Sequence, residues 1–150
     1  MFDIYLTDEM VPESDGQAVY GKIQMEEYTE TFTASLVCWT AADYERQWRE
    51  ACARLAAGKN ESALITSYVR PPDSEFLVWW PLYREGEIVH VRNELVFYSQ
   101  TQVPFSVVDP WRCIRKRRIT TDEGLEISEW DTSLRSIRDF VERIRKTARY

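Results

Sequence analysis

The 150-residue sequence contains a single histidine, His90, and only three cysteines, Cys38, Cys52 and Cys113. The cysteines are odd in number, widely spaced and without a CxxC pair, so the sequence predicts neither a disulfide framework nor a zinc site. One histidine is too few for a metal cluster or for most catalytic triads. No glycine-rich phosphate loop, GxSxG motif or HExxH motif is present. We therefore expect no catalytic residues, no metal and no cofactor.

Long apolar runs are also missing from the chain. No run approaches the roughly 20 residues needed to cross a bilayer, and the starting stretch MFDIYLTDE lacks the basic region of a signal peptide. We expect a cytoplasmic protein that makes no contact with a membrane. Hydrophobic content of 44% and charged content of 29% are typical of a folded globular protein, and 150 residues fit one domain.

Basic residues are scarce in the first third of the chain. Residues 1–45 contain ten aspartates and glutamates but one basic residue, Lys22, and the whole chain has a formal charge of −6. Nucleic acid is disfavoured as a partner because a phosphate backbone requires a basic surface. An acidic surface would attract a cationic protein and speed its association. The same charge also fits a solvated surface that only aids solubility.

A long hairpin over residues 76–98 is the expected centre of the fold. The first arm is nearly all apolar, which predicts a strand covered on both faces, and the second arm alternates apolar residues with His90, Arg92 and Glu94. Pro81 cannot donate a main-chain hydrogen bond, so we expect a bulge or an unpaired position there. Further strands are predicted over residues 2–6, twice within 18–37, over 62–69, and in a last hairpin over 118–130.

Two helices complete the predicted fold. Thr40 is placed to cap the first helix, with Asp43 three residues later, and Gly58 to end it. Asp131 or Thr132 is expected to cap a second, C-terminal helix. The fold class is therefore α+β: one domain over residues 1–150, with a mostly antiparallel sheet of about six to eight strands and two main helices packed on it.

Two features leave chemistry open. The first is pairing among carboxylates, which would suit a hydrolase. Against this, neighbours on a strand point to opposite faces and turn residues are normally solvated. The pairs are Glu26 with Glu27, Asp122 with Glu123, and Glu126 with Glu129. The second is the basic cluster of residues 112–118. It could bind RNA, or its arginines could neutralise the chain's own carboxylates.

Five stretches, taken in their order and spacing, resemble one group of contact-dependent growth inhibition immunity proteins. The stretches are MFDIYLTDE, YERQWREACARL, SALITSYV, WWPLYREGEIVHVRNEL and GLEISEW, the last followed by the terminal helix. The resemblance spans almost the full length. Each stretch is a structural signature and none is a catalytic one.

The resemblance implies a cytoplasmic α+β protein without catalysis of its own. It would bind the C-terminal toxin domain of its own system's exported adhesin, in a 1:1 complex, and cover the toxin's active site or a surface that the toxin needs. Such toxins are usually nucleases and often act on tRNA. The alternative from another class is an RNA-processing enzyme or RNA-binding protein that uses the basic cluster of residues 112–118.

Contact positions do not follow from the resemblance, because such residues differ between toxin and immunity pairs. We predict them from charge and from their position at turns and strand ends, with one tyrosine as an aromatic anchor. The predicted partner-binding residues are Glu26, Glu27, Glu30, Asp73, Glu75, Tyr98, Asp122 and Glu123.

Overall fold

The computed structural model describes residues 1–121, 123–125 and 127–147. Within them lie eight strands: β1 Phe2–Met10, β2 Ala18–Met25, β3 Tyr28–Ser35, β4 Glu61–Ser67, β5 Phe76–Glu85, β6 Ile88–Val91, β7 Glu94–Phe97 and β8 Trp130–Ser133. Two α-helices, α1 Ala41–Ala56 and α2 Leu134–Thr147, pack on them. The predicted α+β class, with antiparallel strands and two main helices, is confirmed.

The strands form two sheets. The N-terminal sheet has the order β1-β2-β3, and the central sheet has the order β4-β5-β6-β8, with β7 also paired to β5. Every pairing is antiparallel. The eight described strands lie within the predicted six to eight, but of the predicted last hairpin over residues 118–130 only the start of β8 is a strand among the described residues. The strands divide between two sheets that meet through β3 and β4 at one place and through β2 and β8 at another.

Strand β5 is the hub of the central sheet, because it pairs with β4 along one edge and with β6 and β7 along the other. Its residues Trp79 and Trp80 are almost completely buried. The Trp79 ring packs against Phe105 in the segment that follows β7, whereas Trp80 packs against Trp130 of β8. The prediction that this arm is covered on both faces is confirmed.

The second arm of the hairpin is not one strand. It breaks at Arg92 and Asn93 into β6 and β7, which keep the same register against β5. The break lies opposite Pro81, whose carbonyl accepts a hydrogen bond from the Arg92 N–H (3.1 Å). Pro81 has no N–H to return that bond, so the ladder is interrupted there. Of the two predicted outcomes at Pro81, the structure has the unpaired position.

Helix α1 begins as predicted. The Thr40 hydroxyl accepts the Asp43 N–H (3.3 Å) and the Asp43 carboxylate accepts the Thr40 N–H (2.9 Å), a complete capping box. The inward stripe of α1 consists of Tyr44, Gln47, Trp48, Ala51, Cys52 and Leu55. Gly58, just beyond the helix, has a φ of 107°, a left-handed conformation that glycine adopts easily.

Side chains of α1 also close the free edge of β4. The Gln47 side-chain amide donates to the Ala63 carbonyl (2.9 Å) and accepts the Ile65 N–H (2.8 Å), the two bonds that a neighbouring strand would make. The Trp48 indole N–H donates to the Ile65 carbonyl (2.7 Å). Buried main-chain groups that would otherwise be unpaired are thereby satisfied.

The predicted cap of the second helix is wrong. Asp131 and Thr132 belong to β8 and pair with β6, and α2 begins two residues later at Leu134. The cap is supplied by Ser133, whose hydroxyl accepts the Ser136 N–H (3.0 Å). Strand pairing with β6 takes precedence over the local capping preference of Asp131.

No helix in the described part of the chain is long and apolar enough to span a bilayer.

Candidate partner-binding surface

The turn between β2 and β3 carries the first of the predicted contact residues, Glu26. Its carboxylate accepts hydrogen bonds from the Met1 ammonium (2.9 Å), the Thr132 hydroxyl (2.7 Å) and the Ser136 hydroxyl (2.9 Å). The hydrogen bond from the ammonium, followed by that from Thr132, lowers the pKa of Glu26 to about 2. Glu26 therefore joins the N-terminal sheet to β8 and α2, and its carboxylate is occupied inside this chain.

This arrangement predicts an acid-sensitive link at Glu26. Since the folded pKa of about 2 lies below the ordinary 4.5, the link stabilises fully above pH 4.5 and is lost as the pH falls from there towards 2. The side chain is 45% exposed, so solvent screening limits its contribution to about 1 kcal/mol. Urea unfolding between pH 2 and pH 6 should show a shallower acid loss in Glu26→Gln than in the parent chain. Glu27→Gln, which removes an adjacent exposed carboxylate, is the matched control and should keep the parent profile.

Glu27 and Glu30 occupy the same turn and the start of β3. Glu27 is exposed, and the Glu30 carboxylate accepts a weak hydrogen bond from the Tyr28 hydroxyl (3.3 Å). The Tyr28 ring stacks on Trp130, with centroids 5.3 Å apart. Neither Glu27 nor Glu30 forms an ion pair with a described residue. Both are free to meet a partner.

The other predicted contacts lie elsewhere. Asp73 and Glu75 are exposed in the loop before β5, and Glu75 accepts the Tyr98 N–H on its carbonyl (3.0 Å). Tyr98 is half-buried, and its hydroxyl donates to the Val69 carbonyl (2.6 Å). Burial raises the pKa of Tyr98. Its polar group is therefore used within the fold, which argues for a structural role.

Glu123 is exposed, and Asp122 lies outside the described residues. Apart from the bond between Glu75 and Tyr98, no hydrogen bond or ion pair joins two of the described predicted positions. The predicted set thus comprises acids at separate places on the fold, together with two residues, Glu26 and Tyr98, whose polar side-chain groups are bonded within the fold.

A polar cluster that the contact prediction missed lies on the central sheet around Glu129. The Glu129 carboxylate accepts hydrogen bonds from Arg92 Nε (2.7 Å) and from Arg117 Nε (3.0 Å) and Nη2 (2.7 Å). His90 places Nδ1 2.7 Å from Asp131 and Nε2 3.1 Å from Glu85. The signal was the alternation of the second arm, which puts His90 and Arg92 on one face.

Charge explains how this cluster is held. Burial raises the pKa of Glu129, but the hydrogen bonds and charges of Arg117 and Arg92 outweigh that effect, so the pKa is lowered. The ligand atoms of His90, Glu129 and Asp131 lie within 4.8 Å of one another, a spacing that could suit a metal ion. However, two guanidinium groups already occupy Glu129 and would repel a cation. The arrangement is an ion-pair network that ties β6 to the segment before β8.

The basic cluster of residues 112–118 has a divided role. Arg117 pairs with Glu129, as expected if the cluster neutralises the chain's own carboxylates. Exposed Arg112 and Lys116 form no ion pair with a described residue, and together with Arg115 they line a cleft of about 530 Å³. The carboxylates that share this cleft, Glu61 and Glu94, oppose the binding of a phosphate chain.

The acidic region of residues 1–45 remains largely unpaired. Three of its ten acids form ion pairs: Asp3 with Arg143, Asp43 with Arg46, and Glu26 with the Met1 ammonium. Ten less three leaves seven with no ion pair to a described residue: Asp8, Glu9, Glu13, Asp15, Glu27, Glu30 and Glu45. Asp8 and Glu9 lie at the end of β1, Glu13 and Asp15 in the loop before β2, Glu27 and Glu30 at the β2–β3 turn and the start of β3, and Glu45 on α1.

Known proteins are similar to this chain in sequence and in fold. The model of the CdiI N-terminal domain family matches residues 34–140. Immunity protein CdiI of Enterobacter cloacae subsp. cloacae is 32% identical over 141 residues, which cover 93% of this chain and 96% of that protein. A chain of the solved CdiA-CT/CdiI toxin and immunity complex from Enterobacter cloacae superposes with a TM-score of 0.85 at 30% identity, over 97% of this chain and 99% of that one. The chain therefore belongs to the CdiI family of contact-dependent growth inhibition immunity proteins.

Proposed function

We propose that this protein binds the C-terminal toxin domain of its own contact-dependent growth inhibition system in the cytoplasm and neutralises it. The observation that carries the proposal is the match over nearly the whole length of both chains to a chain from a solved toxin and immunity complex. The superposition covers 97% of this chain and 99% of that one, which supports the same kind of role for this chain.

The described residues support an action by binding and not by catalysis. The one constellation that joins a histidine with carboxylates, His90 with Glu129 and Asp131, is held by Arg92 and Arg117 in an ion-pair network. A general base or nucleophile needs a free reactive group facing a substrate. The cluster instead satisfies its charges internally.

The toxin is proposed to be a cationic nuclease, bound one to one. A nuclease must attract a phosphate backbone and therefore carries basic residues around its active site. The seven unpaired acids of this chain would complement such a surface and compete with the nucleic acid for it. Inhibition would then follow from covering the active site or a surface needed for substrate binding. A tRNA-directed toxin is one member of this class.

Charge reversal at the β2–β3 turn tests the electrostatic part of the proposal. The toxin domain of the same system is expected to co-purify with the parent chain. The double variant Glu27→Lys with Glu30→Lys should associate about tenfold more slowly at low ionic strength, with the difference shrinking as salt is added. Stopped-flow association rates measure this effect.

The matched control is Glu50→Lys with Asp139→Lys, which makes the same charge change at exposed positions of α1 and α2 that are not among the predicted contacts. Equal slowing by both pairs would mean that only the net charge counts, and no slowing by either would place the contact on another face. Absence of any complex at micromolar concentration, together with RNA binding by the isolated chain that is lost on replacing Arg115 and Lys116, would overturn the proposal in favour of the RNA-binding alternative.

A further inference from the structure

Strand β3 presents an open sheet edge. The Leu36 N–H donates to the Gln17 carbonyl (2.7 Å), which shows which residues of β3 direct their main-chain groups towards β2. Because main-chain bonding alternates along an antiparallel pair, the N–H and C=O groups of Thr29, Thr31 and Thr33 point away from β2. All three residues are exposed, and no hydrogen bond from a described residue reaches their main-chain groups.

The free edge of β4, in contrast, is covered by helix α1, so the lack of cover on the edge of β3 is informative. There, side chains of α1 bond the free edge at successive positions, with Gln47 reproducing both bonds of a missing strand. Proteins normally block an exposed edge because it is a template for pairing with another chain. On β3, the Ser35 N–H donates to the Ser67 hydroxyl (3.3 Å). Apart from this bond, no described residue covers the outward main-chain groups of β3 in the same way.

A cleft of about 500 Å³ runs beside this edge. Thr31 and Thr33 line one wall, and the other wall is formed by Phe76, Val78 and Trp80 of β5. Phe76 is 38% exposed, and Leu95, which pairs with Val78, is 46% exposed. The Trp80 indole N–H is buried without an acceptor among the described residues. The edge thus adjoins apolar surface and a donor that has no protein partner.

Charge indicates what kind of chain would bind there. Glu27 and Glu30 lie at the beginning of β3, and the loop bearing Glu13 and Asp15 lies near its end, next to the Leu36–Gln17 bond. The four carboxylates form no ion pair with a described residue. A second copy of this chain, with a formal charge of −6, would be repelled, whereas a cationic segment would be attracted from both ends.

We propose that the edge of β3 and its adjoining cleft bind an extended, cationic segment of the cognate toxin domain as an added strand. Main-chain hydrogen bonds to Thr29, Thr31 and Thr33 provide affinity, and apolar side chains of the segment pack on Phe76 and Leu95. This inference rests on the proposed function, since it names the surface that the toxin uses.

The test is Thr31→Pro in the full chain, measured with the toxin domain of the same system. Proline removes the outward N–H of residue 31 and no bond to β2, a position where edge strands tolerate it. Affinity should fall about tenfold or more, equivalent to the loss of one or two strand hydrogen bonds with steric exclusion of the added strand. Thr31→Val keeps the N–H and should bind as the parent does.

Amide hydrogen exchange in the parent chain decides the question independently of any variant. Slowed exchange at Thr29, Thr31 and Thr33 on toxin binding is the expected result. A complex that forms without protection of these amides would overturn the strand-addition proposal while the proposed function stands. Failure to form any complex would overturn both, and protection that arises from self-association, detected by sedimentation of the chain alone, would assign the edge to a second copy instead.

Discussion

Replacing Glu129 with glutamine should lower the free energy of unfolding by about 3 kcal/mol, measured by urea denaturation at pH 7. Glutamine has nearly the same shape as glutamate but no charge. The loss falls on Arg92, whose side chain is 8% exposed and whose Nε lies 2.7 Å from Glu129. A buried guanidinium without its counter-ion keeps the full cost of its desolvation.

The remaining contacts of Arg92 do not replace this carboxylate. Its Nη2 donates to the Arg118 carbonyl, and the guanidinium lies 5.6 Å from the centre of the Tyr83 ring. Both contacts orient the group, but neither carries a negative charge. Arg117, which donates to Glu129 through Nε and Nη2, would lose the same partner, but its Nη1 lies 3.7 Å from Glu85, which is an alternative partner.

Glu85→Gln is the matched control. Glu85 lies near the His90 ring and the Arg117 guanidinium, but it is 73% exposed, so its removal should cost less than about 1 kcal/mol. The double variant Arg92→Leu with Glu129→Leu should be less destabilised than the sum of the single changes, because neither charge is then left alone. Glu129→Gln that unfolds within 0.5 kcal/mol of the parent would contradict this account of the cluster.

The parts of the fold that followed from the sequence are those that depend on near neighbours. Thr40 and Asp43 are three residues apart, and their capping box needs only the local chain. The interruption opposite Pro81 follows from the missing N–H, whichever strand lies alongside. Burial of the first hairpin arm follows from its composition, because an apolar strand must be covered on both faces.

Long-range pairing is what the sequence left undetermined. Glu26 appeared to be a solvated turn residue, yet its carboxylate bonds Thr132 and Ser136, which lie 106 and 110 residues further along the chain. The division into two sheets likewise depends on which strands meet, and strand patterns do not encode their partners. Aspartate is a residue type that often caps helices. Asp131 instead lies in β8 and pairs with His90 of β6, because tertiary contacts outweigh the capping preference.

For the candidate surface too, the sequence predicted part of the picture and long-range contacts decided the rest. Composition identified the acidic region of residues 1–45 and therefore the charge of a partner. The sequence did not show which acids stay unpaired, because Asp3 finds Arg143 from the far end of the chain. Nor did it show that β3 is an edge, since the edge position depends on how both sheets are assembled.

Removing the side chain that covers the free edge of β4 should also lower stability strongly. Gln47→Leu should lower the free energy of unfolding by about 3 kcal/mol, because it leaves the Ala63 carbonyl and the Ile65 N–H buried without partners. Leucine fills a similar volume, so packing is largely kept and the loss reports the two hydrogen bonds. Chemical denaturation measures the change, and exchange of the Ile65 amide should become faster in the same variant.

Arg49→Leu provides the comparison, because Arg49 lies two residues along α1 on the exposed face and receives the same side chain. It should change the free energy of unfolding by less than about 0.5 kcal/mol. A Gln47→Leu protein that keeps both its stability and a slowly exchanging Ile65 amide would show that water or a shifted neighbour seals the edge equally well. If instead the variant loses stability and begins to self-associate, the open edge of β4 has become a pairing site, as expected for an unprotected strand. Helix α1 would then be what limits pairing to the edge of β3.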